Sequence, residues 1–319
     1  MSCRKLVVVI PARNESVTIA NMIRKVFEVT ANLKELSVCI LVVDDSNDAT
    51  GEIASKTGAH VVRGDGRGLG AAMYLGLGEA LRRFDPEIVA AIDADEQFDP
   101  EELPKVLRPL LDNEADLVLG SRFLQKGLVK YKMPLTNRFG NYLLSWLVRR
   151  ATGLRITDAQ TGFRAMRSEV AQRLEMIGTH TYVQECIIDA AEKNFRIAEV
   201  PVRFLHRKHG KSRVVGSIRR YATRSIPILV LRMGIYKSLF TSIGPFLMAV
   251  GVVYGFSVLS EASFQIPELF KRVPALILTT LLVVTGLTIF SFGVLLDLVV
   301  GIKFKLDRFD KESWSRSHD

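Results

Sequence analysis

Apolar and polar positions alternate in blocks along the first two hundred residues. Continuous apolar runs of strand length are each followed by a polar turn and a stretch with helical spacing. Strands separated by helices predict βαβ units, and therefore an α/β fold whose mostly parallel sheet is covered by helices on both faces. The predicted strands are 6–12, 38–45, 59–64, 87–95 and 115–122, and the predicted helices include 16–30, 49–57 and 69–83.

Two longer apolar stretches near the C-terminus have a different pattern. Residues 238–260 and 274–296 each contain 23 positions without a charged side chain. A helix of that length spans about 34 Å, which is enough to cross a hydrocarbon core of about 30 Å. Neither stretch has a polar stripe, which argues against the alternative of two buried helices in a soluble domain. We predict a transmembrane hairpin over 238–302, with spans of about 238–260 and 274–300.

The charges around the hairpin predict its orientation. Basic residues flank both outer ends, whereas the connecting loop has no net charge. The positive-inside rule then places both outer ends in the cytoplasm. No signal peptide is predicted, because the first apolar run is only five residues long. We expect an integral protein of a plasma or endoplasmic-reticulum-type membrane, with a cytoplasmic domain (1–215), an amphipathic segment at the membrane surface (216–237) and a cytoplasmic tail (303–319).

Composition narrows the function classes. Apolar residues make up 48% of the chain, too many for a disordered protein. The net charge of +9 is concentrated, since residues 201–240 contain ten Lys or Arg and no acid, against 33 bases and 34 acids elsewhere. Such a segment admits anionic lipid, phosphorylated small molecules or nucleic acid. Nucleic acid is not favoured, because no recognised motif or aromatic platform is present. Three scattered cysteines support neither a disulfide framework nor a zinc site.

Acidic residues follow several predicted strands. Asp93 and Asp95 come directly after the apolar run of the fourth strand, where their repulsion would be costly without a cation. Hard oxygen ligands at a strand end suit Mg²⁺ or Mn²⁺, which also bind the oxygens of a diphosphate. An isolated D-x-D triplet is often only a solvated strand end. Here the glycine-rich run 64–70 and the acidic end of the second strand favour a site. The glycine-rich run is not a P-loop, and its simplest role is a flexible entry to the next helix.

Eight short motifs follow one another along residues 5–240. They are IPARNES (10–16), VVDDSNDAT (42–50), GRGLGAAMYLGL (66–77), DADEQ (93–97), GSR (120–122), DAQTGFRA (158–165), EVPV (199–202) and HRKHGKSR (206–213). Their order resembles that of family 2 glycosyltransferases with a GT-A fold. Within that family, the C-terminal hairpin makes the chain similar to the membrane-anchored polyprenyl (dolichyl) phosphate sugar synthases.

The resemblance implies three groups of site residues. Those implied to bind the nucleotide sugar are Pro11, Ala12, Arg13, Asn14, Glu15, Asp44, Asp45, Asp93, Ala94 and Asp95. Those implied to hold Mg²⁺ or Mn²⁺ are Asp93, Asp95 and Gln97. Those implied to bind the phosphate of the acceptor lipid are Arg122, Arg138, Arg207 and Lys211. The match is poorest over 124–142, where Lys132 and Asn137 lie near the positions at which relatives place a basic residue and a serine.

The implied reaction is metal-dependent, inverting transfer of a hexose from a GDP- or UDP-linked sugar to a polyprenyl or dolichyl phosphate at the cytoplasmic membrane face, for glycan assembly. Asp95, Asp158 and Arg207 are the implied catalytic residues. Asp158 and Glu185 are expected to orient acceptor or sugar, with a structural role as the alternative. His206 and His209 are expected to be exposed loop residues rather than phosphate ligands.

Two other functions are compatible with parts of the sequence. A processive polysaccharide synthase also joins such a domain to membrane helices, but the Q-x-x-R-W context of that class is missing around Trp146 and Trp314. A non-catalytic membrane protein could use the domain only to bind a nucleotide sugar, although the intact carboxylates argue against decay. A homo-oligomer is possible, because the small residues Gly244, Gly251 and Gly255 could pack against another copy.

Overall fold

The computed structural model describes residues 4–131, 133–176, 182–207, 235–262 and 266–316. The chain divides into two compact units, Met1–Leu229 and Val230–Asp319. Each unit is built differently, the first around a sheet and the second from long apolar helices.

The described part of the first unit contains a seven-stranded sheet in the order β3-β2-β1-β4-β6-β5-β7. Four of its six pairings are parallel, and β6 runs antiparallel between β4 and β5. The predicted α/β fold with a mostly parallel sheet is therefore confirmed. The strands are β1 (Arg4–Ala12), β2 (Leu36–Asp44), β3 (His60–Arg63), β4 (Ile88–Ala91), β5 (Leu117–Ser121), β6 (Arg164–Arg167) and β7 (Ile197–Pro201).

Helices cover both faces of this sheet. They are α1 (Ile19–Ala31), α2 (Thr50–Lys56), α3 (Leu69–Phe84), α4 (Leu103–Leu111), α5 (Leu135–Thr152), α6 (Ser168–Arg173) and α7 (Val183–Glu192), with a short 3₁₀ turn at Pro100–Glu102. In α1 the residues at i, i+3, i+4 and i+7 from Ile19 are fully buried, as expected of a helix that packs one face on a sheet. The predicted helix 16–30 begins three residues late, because the preceding loop bonds to the chain after β2 instead.

Burial explains which strands the sequence reveals. Leu6 to Ile10 of β1 and Ile88 to Ala91 of β4 are almost completely inaccessible, so both read as continuous apolar runs. β4 is shorter than the predicted strand 87–95, since the chain leaves the ladder after the amide of Ile92 bonds to Val9. β6 and β7 were not predicted, because they are only four and five residues long and mix charged with apolar positions.

The second unit contains α8 (Ile235–Glu261), the short α9 (Ile266–Phe270) and α10 (Val273–Arg316). Phe240–Glu261 and Val273–Val299 are long and apolar enough to cross a membrane. Only 22% and 6% of their most apolar windows are buried, which distinguishes them from the core helices of a soluble domain. The predicted helical hairpin is therefore present, whereas α9 in its connection was not predicted.

The glycines of α8 face α10 of the same chain. A Cβ placed on Gly244 would lie 2.8 Å from the carbonyl oxygen of Gly286, and one on Gly251 would lie 2.8 Å from Val283. Gly255 likewise faces Thr279. Close packing inside the hairpin therefore uses these three glycines, and the homo-oligomer stays a prediction without them as its support.

Candidate active site

The loops after β1 and β2 are bonded to one another at the carboxyl edge of the sheet. The amide of Asn14 donates to Ser46 Oγ at 2.7 Å, and the amide of Asn47 donates to Asn14 Oδ1 at 2.9 Å. Asn14 has a φ of 52°, a left-handed conformation that asparagine tolerates better than most residues. These bonds bring the predicted nucleotide-binding residues of 11–15 beside those of 44–45.

Asp44 and Asp45 are held in fixed positions. Asp44 is buried and accepts hydrogen bonds from Arg63 Nη1 and from the amide of Ser46, both at 3.0 Å. Asp45 accepts one from the amide of Gly66 at 3.0 Å. A Cβ on Gly64 would collide with the carboxylate of Asp45. The glycine-rich run therefore allows the backbone to approach a carboxylate closely, a role beyond the flexible entry to α3 that we expected.

Asp93 lies just beyond β4 in a half-buried position. None of the described residues donates a hydrogen bond to its carboxylate. Gly162, which precedes β6, approaches so closely that a Cβ would lie 2.6 Å from Asp93 Oδ2. Burial and the neighbouring Asp95 raise the pKa of Asp93 to about 7. The guanidinium groups of Arg122, Arg164 and Arg207 act in the opposite direction, by lowering this pKa.

Asp95 is compensated more directly than Asp93. Its Oδ1 accepts a hydrogen bond from the amide of Gln97 at 3.0 Å, and its Oδ2 accepts one from Arg207 Nη2 at 2.8 Å. Burial still raises the pKa of Asp95, and the charge of Arg207 opposes that shift. The same Nη2 lies 3.1 Å from Glu15 Oε1. One guanidinium therefore joins the loop after β1 to the acidic triplet, which is Asp93-Ala94-Asp95.

The structure thus places Arg207 among the carboxylates of the predicted donor site. Its role toward the acceptor phosphate stays a prediction, since here it bonds to Asp95 and Glu15. The pairing with Glu15 was not anticipated, although both residues belong to the motifs singled out in the sequence.

Arg122 and Asp158 form a buried bidentate pair. Arg122 Nε donates to Asp158 Oδ2 at 2.6 Å, and its Nη2 donates to Oδ1 at 2.8 Å. The guanidinium also lies over the rings of Phe98, Phe123 and Phe204. Arg122 was predicted to bind the phosphate of the acceptor lipid, and Asp158 was predicted to orient the acceptor or the sugar. The structure brings them together with each other, and their direct contact with substrates stays a prediction.

Glu199 supports this pair and was missed as a functional residue. Its carboxylate accepts hydrogen bonds from the amides of Thr157 and Asp158 and from the Thr157 hydroxyl, at 2.8 to 3.0 Å. Burial raises the pKa of Glu199, and these hydrogen bonds oppose that shift. Its presence in the EVPV motif was the available signal.

A second missed residue is Arg164, the arginine of the DAQTGFR motif. It is completely buried, donates to the carbonyl oxygen of Val183 at 3.2 Å and lies over the ring of Tyr182. Because it lowers the pKa of Asp93, this cation belongs to the electrostatics of the site.

The remaining predicted residues lie in different environments. Gln97 Nε2 lies 3.4 Å from the carbonyl oxygen of Leu205, which ties the acidic triplet to the segment before Arg207. Arg138 is exposed on α5, Arg13 is exposed after β1, and Glu185 is buried in the first turn of α7. His206 is exposed, as expected. Lys132, His209 and Lys211 lie outside the described residues.

The next question is whether Asp93 and Asp95 fit the ligand set of a divalent cation. Among the described residues there is no group of three or more His, Cys, Asp or Glu that could hold a metal ion. Mg²⁺ in nucleotide sites commonly takes only one or two carboxylates and completes its shell with phosphate and water. Asp93, whose carboxylate accepts no hydrogen bond from any described residue, fits that arrangement with Asp95. The protein part of such a site is incomplete without the diphosphate.

Comparison with known proteins assigns the family. The family model described as Glycosyl transferase family 2 matches residues 7–175, which include most of β1, all of β2 to β6 and the acidic residues Asp93 and Asp95. The chain belongs to glycosyl transferase family 2. Its activity class is therefore glycosyl transfer, and the predicted family and GT-A-type fold are confirmed.

Two relatives and one solved structure illustrate the match. A dolichyl-phosphate hexose transferase of Haloferax volcanii is 33% identical over 202 residues, covering 63% of this chain and 83% of that protein. A polyprenol monophosphomannose synthase of Mycolicibacterium smegmatis is 31% identical, covering 69% and 84%. Glucosyl-3-phosphoglycerate synthase from Mycobacterium tuberculosis, solved with Mn²⁺, UDP-glucose and phosphoglyceric acid, has a TM-score of 0.54 and 25% identity, covering 72% and 80%.

Proposed function

We propose that this family 2 glycosyltransferase transfers a hexose from a nucleotide diphosphate sugar to a polyprenyl or dolichyl phosphate, with inversion at the anomeric carbon. The observation that carries the proposal is the pair Asp93 and Asp95 at the carboxyl edge of the sheet, where no described residue donates a hydrogen bond to the carboxylate of Asp93. The names of the two relatives, each covered over more than 80% of its length, support a lipid phosphate as the acceptor.

The donor is assigned to the loops after β1, β2 and β4. Residues 11–15 border the nucleotide, while Asp44 and Asp45 offer fixed acceptors to its base and ribose. Asp93, Asp95 and Gln97 would hold Mg²⁺ or Mn²⁺, and a divalent ion there would supply positive charge against the departing diphosphate. The Mn²⁺ in the related glucosyl-3-phosphoglycerate synthase structure supports this assignment.

The chemistry requires few protein groups. An oxygen of the lipid monophosphate forms a bond to the anomeric carbon while the bond from that carbon to the diphosphate oxygen breaks. The nucleophile is already anionic near neutral pH, so no strong general base is needed. The chain's residues act by positioning the two substrates and by compensating negative charge. Arg207 is suited to this role, because its guanidinium already bonds to the carboxylate of Asp95. It can exchange this carboxylate for the phosphate of the acceptor.

The membrane would hold the acceptor lipid beside the catalytic domain. We propose that 238–302 spans the bilayer as a hairpin, that 216–237 lies on its cytoplasmic surface and that residues 1–215 form the catalytic domain. A lipid phosphate could then reach Arg207, Lys211 and Arg138 while its tail stays in the bilayer. The two apolar helices and the names of the relatives support membrane association.

The test is to incubate the purified full chain in vesicles with labelled GDP-mannose, UDP-glucose or UDP-N-acetylglucosamine. Polyprenyl phosphate is the acceptor, and 3-phosphoglycerate replaces it in a parallel reaction. We expect one sugar to enter the lipid fraction, only with Mg²⁺ or Mn²⁺ present. Transfer to 3-phosphoglycerate but not to the lipid would refute the lipid acceptor, and undiminished transfer in EDTA would refute the metal.

A pair of arginine variants tests the acceptor assignment. Arg207→Ala should raise the KM for polyprenyl phosphate about tenfold or more, and should change the KM for the nucleotide sugar much less. Arg203→Ala is the matched control, because Arg203 pairs with Asp99, Glu101 and Glu102 rather than with the acidic triplet. An equal rise of both KM values in Arg207→Ala would assign Arg207 to the donor instead.

A further inference from the structure

The outward face of α5 is apolar instead of polar. Leu144, Ser145 and Val148 form the buried side of this helix. The opposite side presents large apolar residues at i, i+4, i+7, i+8 and i+11, with Leu135, Phe139 and Tyr142 exposed by 80%, 67% and 66%. The stripe consists of Leu135, Phe139, Tyr142, Leu143 and Trp146. A contiguous exposed patch of this kind marks an interaction surface.

Basic residues surround the stripe. Residues 117–157 contain eight Lys or Arg and no acid. At 3.6 residues per turn, Arg138, Arg149 and Arg150 lie along the margins of the stripe. Arg138 and Arg150 are exposed, and no ion pair involves either of them within the described residues. The surface therefore combines an apolar centre with an uncompensated positive rim.

The charge selects among the possible occupants of this surface. A second copy of the chain would bring an identical basic rim against the first, and like charges at close range oppose such pairing. The chain's own segment 201–240, with ten bases and no acid, is disfavoured for the same reason. An anionic bilayer surface complements both features, since it attracts Lys and Arg and accepts Trp, Tyr and Phe at the boundary between headgroups and acyl chains.

We propose that α5 is a membrane-docking helix of the first unit, with its aromatic stripe inserted into the interface of an anionic bilayer. This goes beyond the proposed function and does not depend on sugar transfer. Docking would bring Arg138 to the level of lipid phosphates. Trp and Tyr are suited to that depth, because each has an apolar body and one polar group.

The two tryptophans of the chain allow a direct test. In the full chain carrying Trp314→Phe, Trp146 is the only tryptophan, and it can be measured in vesicles containing phosphatidylglycerol. We expect quenching by lipids brominated near the headgroup end of the acyl chain to be at least about twofold stronger than by lipids brominated near the terminal methyl, as for an interfacial helix. Aqueous iodide should quench Trp146 weakly.

Three results would overturn the proposal or support it. Strong quenching by iodide with none by bromolipid would show that the face is in water. Shielding from both quenchers would show that protein covers it, either a second copy or the segment 201–240. The double variant Phe139→Ser, Tyr142→Ser should lose at least about half of the bromolipid quenching, because the remaining stripe buries less apolar area.

Val17→Ser is the matched control for this double variant, since Val17 is 69% exposed outside α5. It should leave the bromolipid quenching unchanged. Far-UV circular dichroism of all variants verifies that the total helix content is unchanged. If both variants lost quenching equally, the stripe would not be the docking element. Because the readout is independent of sugar transfer, a failure here leaves the proposed reaction untouched.

Discussion

The side chain of Asp93 occupies a position where an ionised carboxylate is unstable. Burial and Asp95 raise its pKa to about 7, and no described residue donates a hydrogen bond to it. A site of this kind is suited to binding a cation, because the cation removes the repulsion that the fold itself leaves in place. The fold thereby gives up stability at the proposed metal site, as commonly occurs at active sites.

Asp93→Asn should therefore abolish sugar transfer while stabilising the metal-free protein. The unfolded carboxyl titrates near 3.8 and the folded one near 7. Since the folded pKa is the higher one, the wild type loses stability as pH rises from about 4 to about 7, and the amide does not. In EDTA, the unfolding midpoint of Asp93→Asn should exceed that of the wild type by an amount that grows over this range and then levels off.

Asp116→Asn is the control with the opposite sign. Hydrogen bonds from Arg196 lower the pKa of Asp116, so its ion pair stabilises the fold above the usual titration range. That variant should be no more stable than the wild type at pH 7. If Asp93→Asn retained near-normal turnover, or melted below the wild type at pH 7, the role given to Asp93 would be wrong.

Asp158 allows a second prediction, because its two suggested roles differ in their effect on stability. It is completely buried, and both of its oxygens bond to Arg122. Asp158→Ala should destabilise the first unit by about 3–5 kcal/mol, since it leaves a buried guanidinium unpaired. Denaturant unfolding of the full chain, followed by near-UV circular dichroism, measures this.

Glu169→Ala is the matched control, because its pair with Arg173 on α6 is exposed and should contribute less than about 1 kcal/mol. The double change Arg122→Met, Asp158→Leu should recover much of the lost stability without recovering sugar transfer. An Asp158→Ala protein with a normal unfolding transition and no turnover would instead assign Asp158 a direct catalytic role.

At the scale of elements, the first half of the sheet could be predicted from the sequence. β1, β2 and β4 are buried on both faces, so continuous apolar runs reveal them, and the carboxylates that follow them necessarily meet at one edge. β6 could not be predicted, because its four residues include two arginines, one of them buried by tertiary contacts alone.

The parts of the site that depend on β6 were unpredictable for the same reason. Arg122 and Asp158 are 36 positions apart, and only the antiparallel insertion of β6 between β4 and β5 brings them together. No periodicity in the sequence encodes such a pairing. Motifs could still identify the segments involved, as they did for GSR and DAQTGFRA, without identifying their partners.

The hairpin of α8 and α10 provides a prediction at the same scale. A Cβ on Gly286 would lie 2.6 Å from the carbonyl oxygen of Gly244 and 2.7 Å from Met248. Gly286→Leu should therefore separate the two helices at a cost of about 1–3 kcal/mol or more. Titration of the micelle-bound protein with SDS, followed by circular dichroism and fluorescence, should give an earlier unfolding midpoint.

Gly301→Leu is the matched control, because nothing lies within 4 Å of a Cβ at that position of α10. It adds the same side chain to the same helix and should leave the midpoint unchanged. Equal effects of the two variants would show that added bulk, and not the contact between α8 and α10, determines the result.

Across the whole molecule, the charge is more segregated than the net value of +9 suggests. Outside 201–240 the bases and acids nearly balance, but that balance hides the stretch 117–157, which contains eight bases and no acid. The rest of the chain has nine more acids than bases. The expectation of a single basic segment is therefore incomplete. The segment 117–157 contains the apolar stripe of α5, and the segment 201–240 contains the predicted acceptor residues Arg207 and Lys211.

Two basic segments of this kind predict that the use of a membrane-embedded acceptor depends on salt. Each Lys or Arg near an anionic surface contributes about 1 kcal/mol, and the Debye length falls from about 10 Å at 0.1 M to about 3 Å at 1 M salt. In phosphatidylglycerol vesicles, the KM for polyprenyl phosphate should rise several-fold over that range. A short-chain, water-soluble prenyl phosphate is the control, because it needs the phosphate site without the bilayer. Equal salt dependence for both acceptors would mean that salt acts on the phosphate contact alone and that the basic segments do not dock the enzyme.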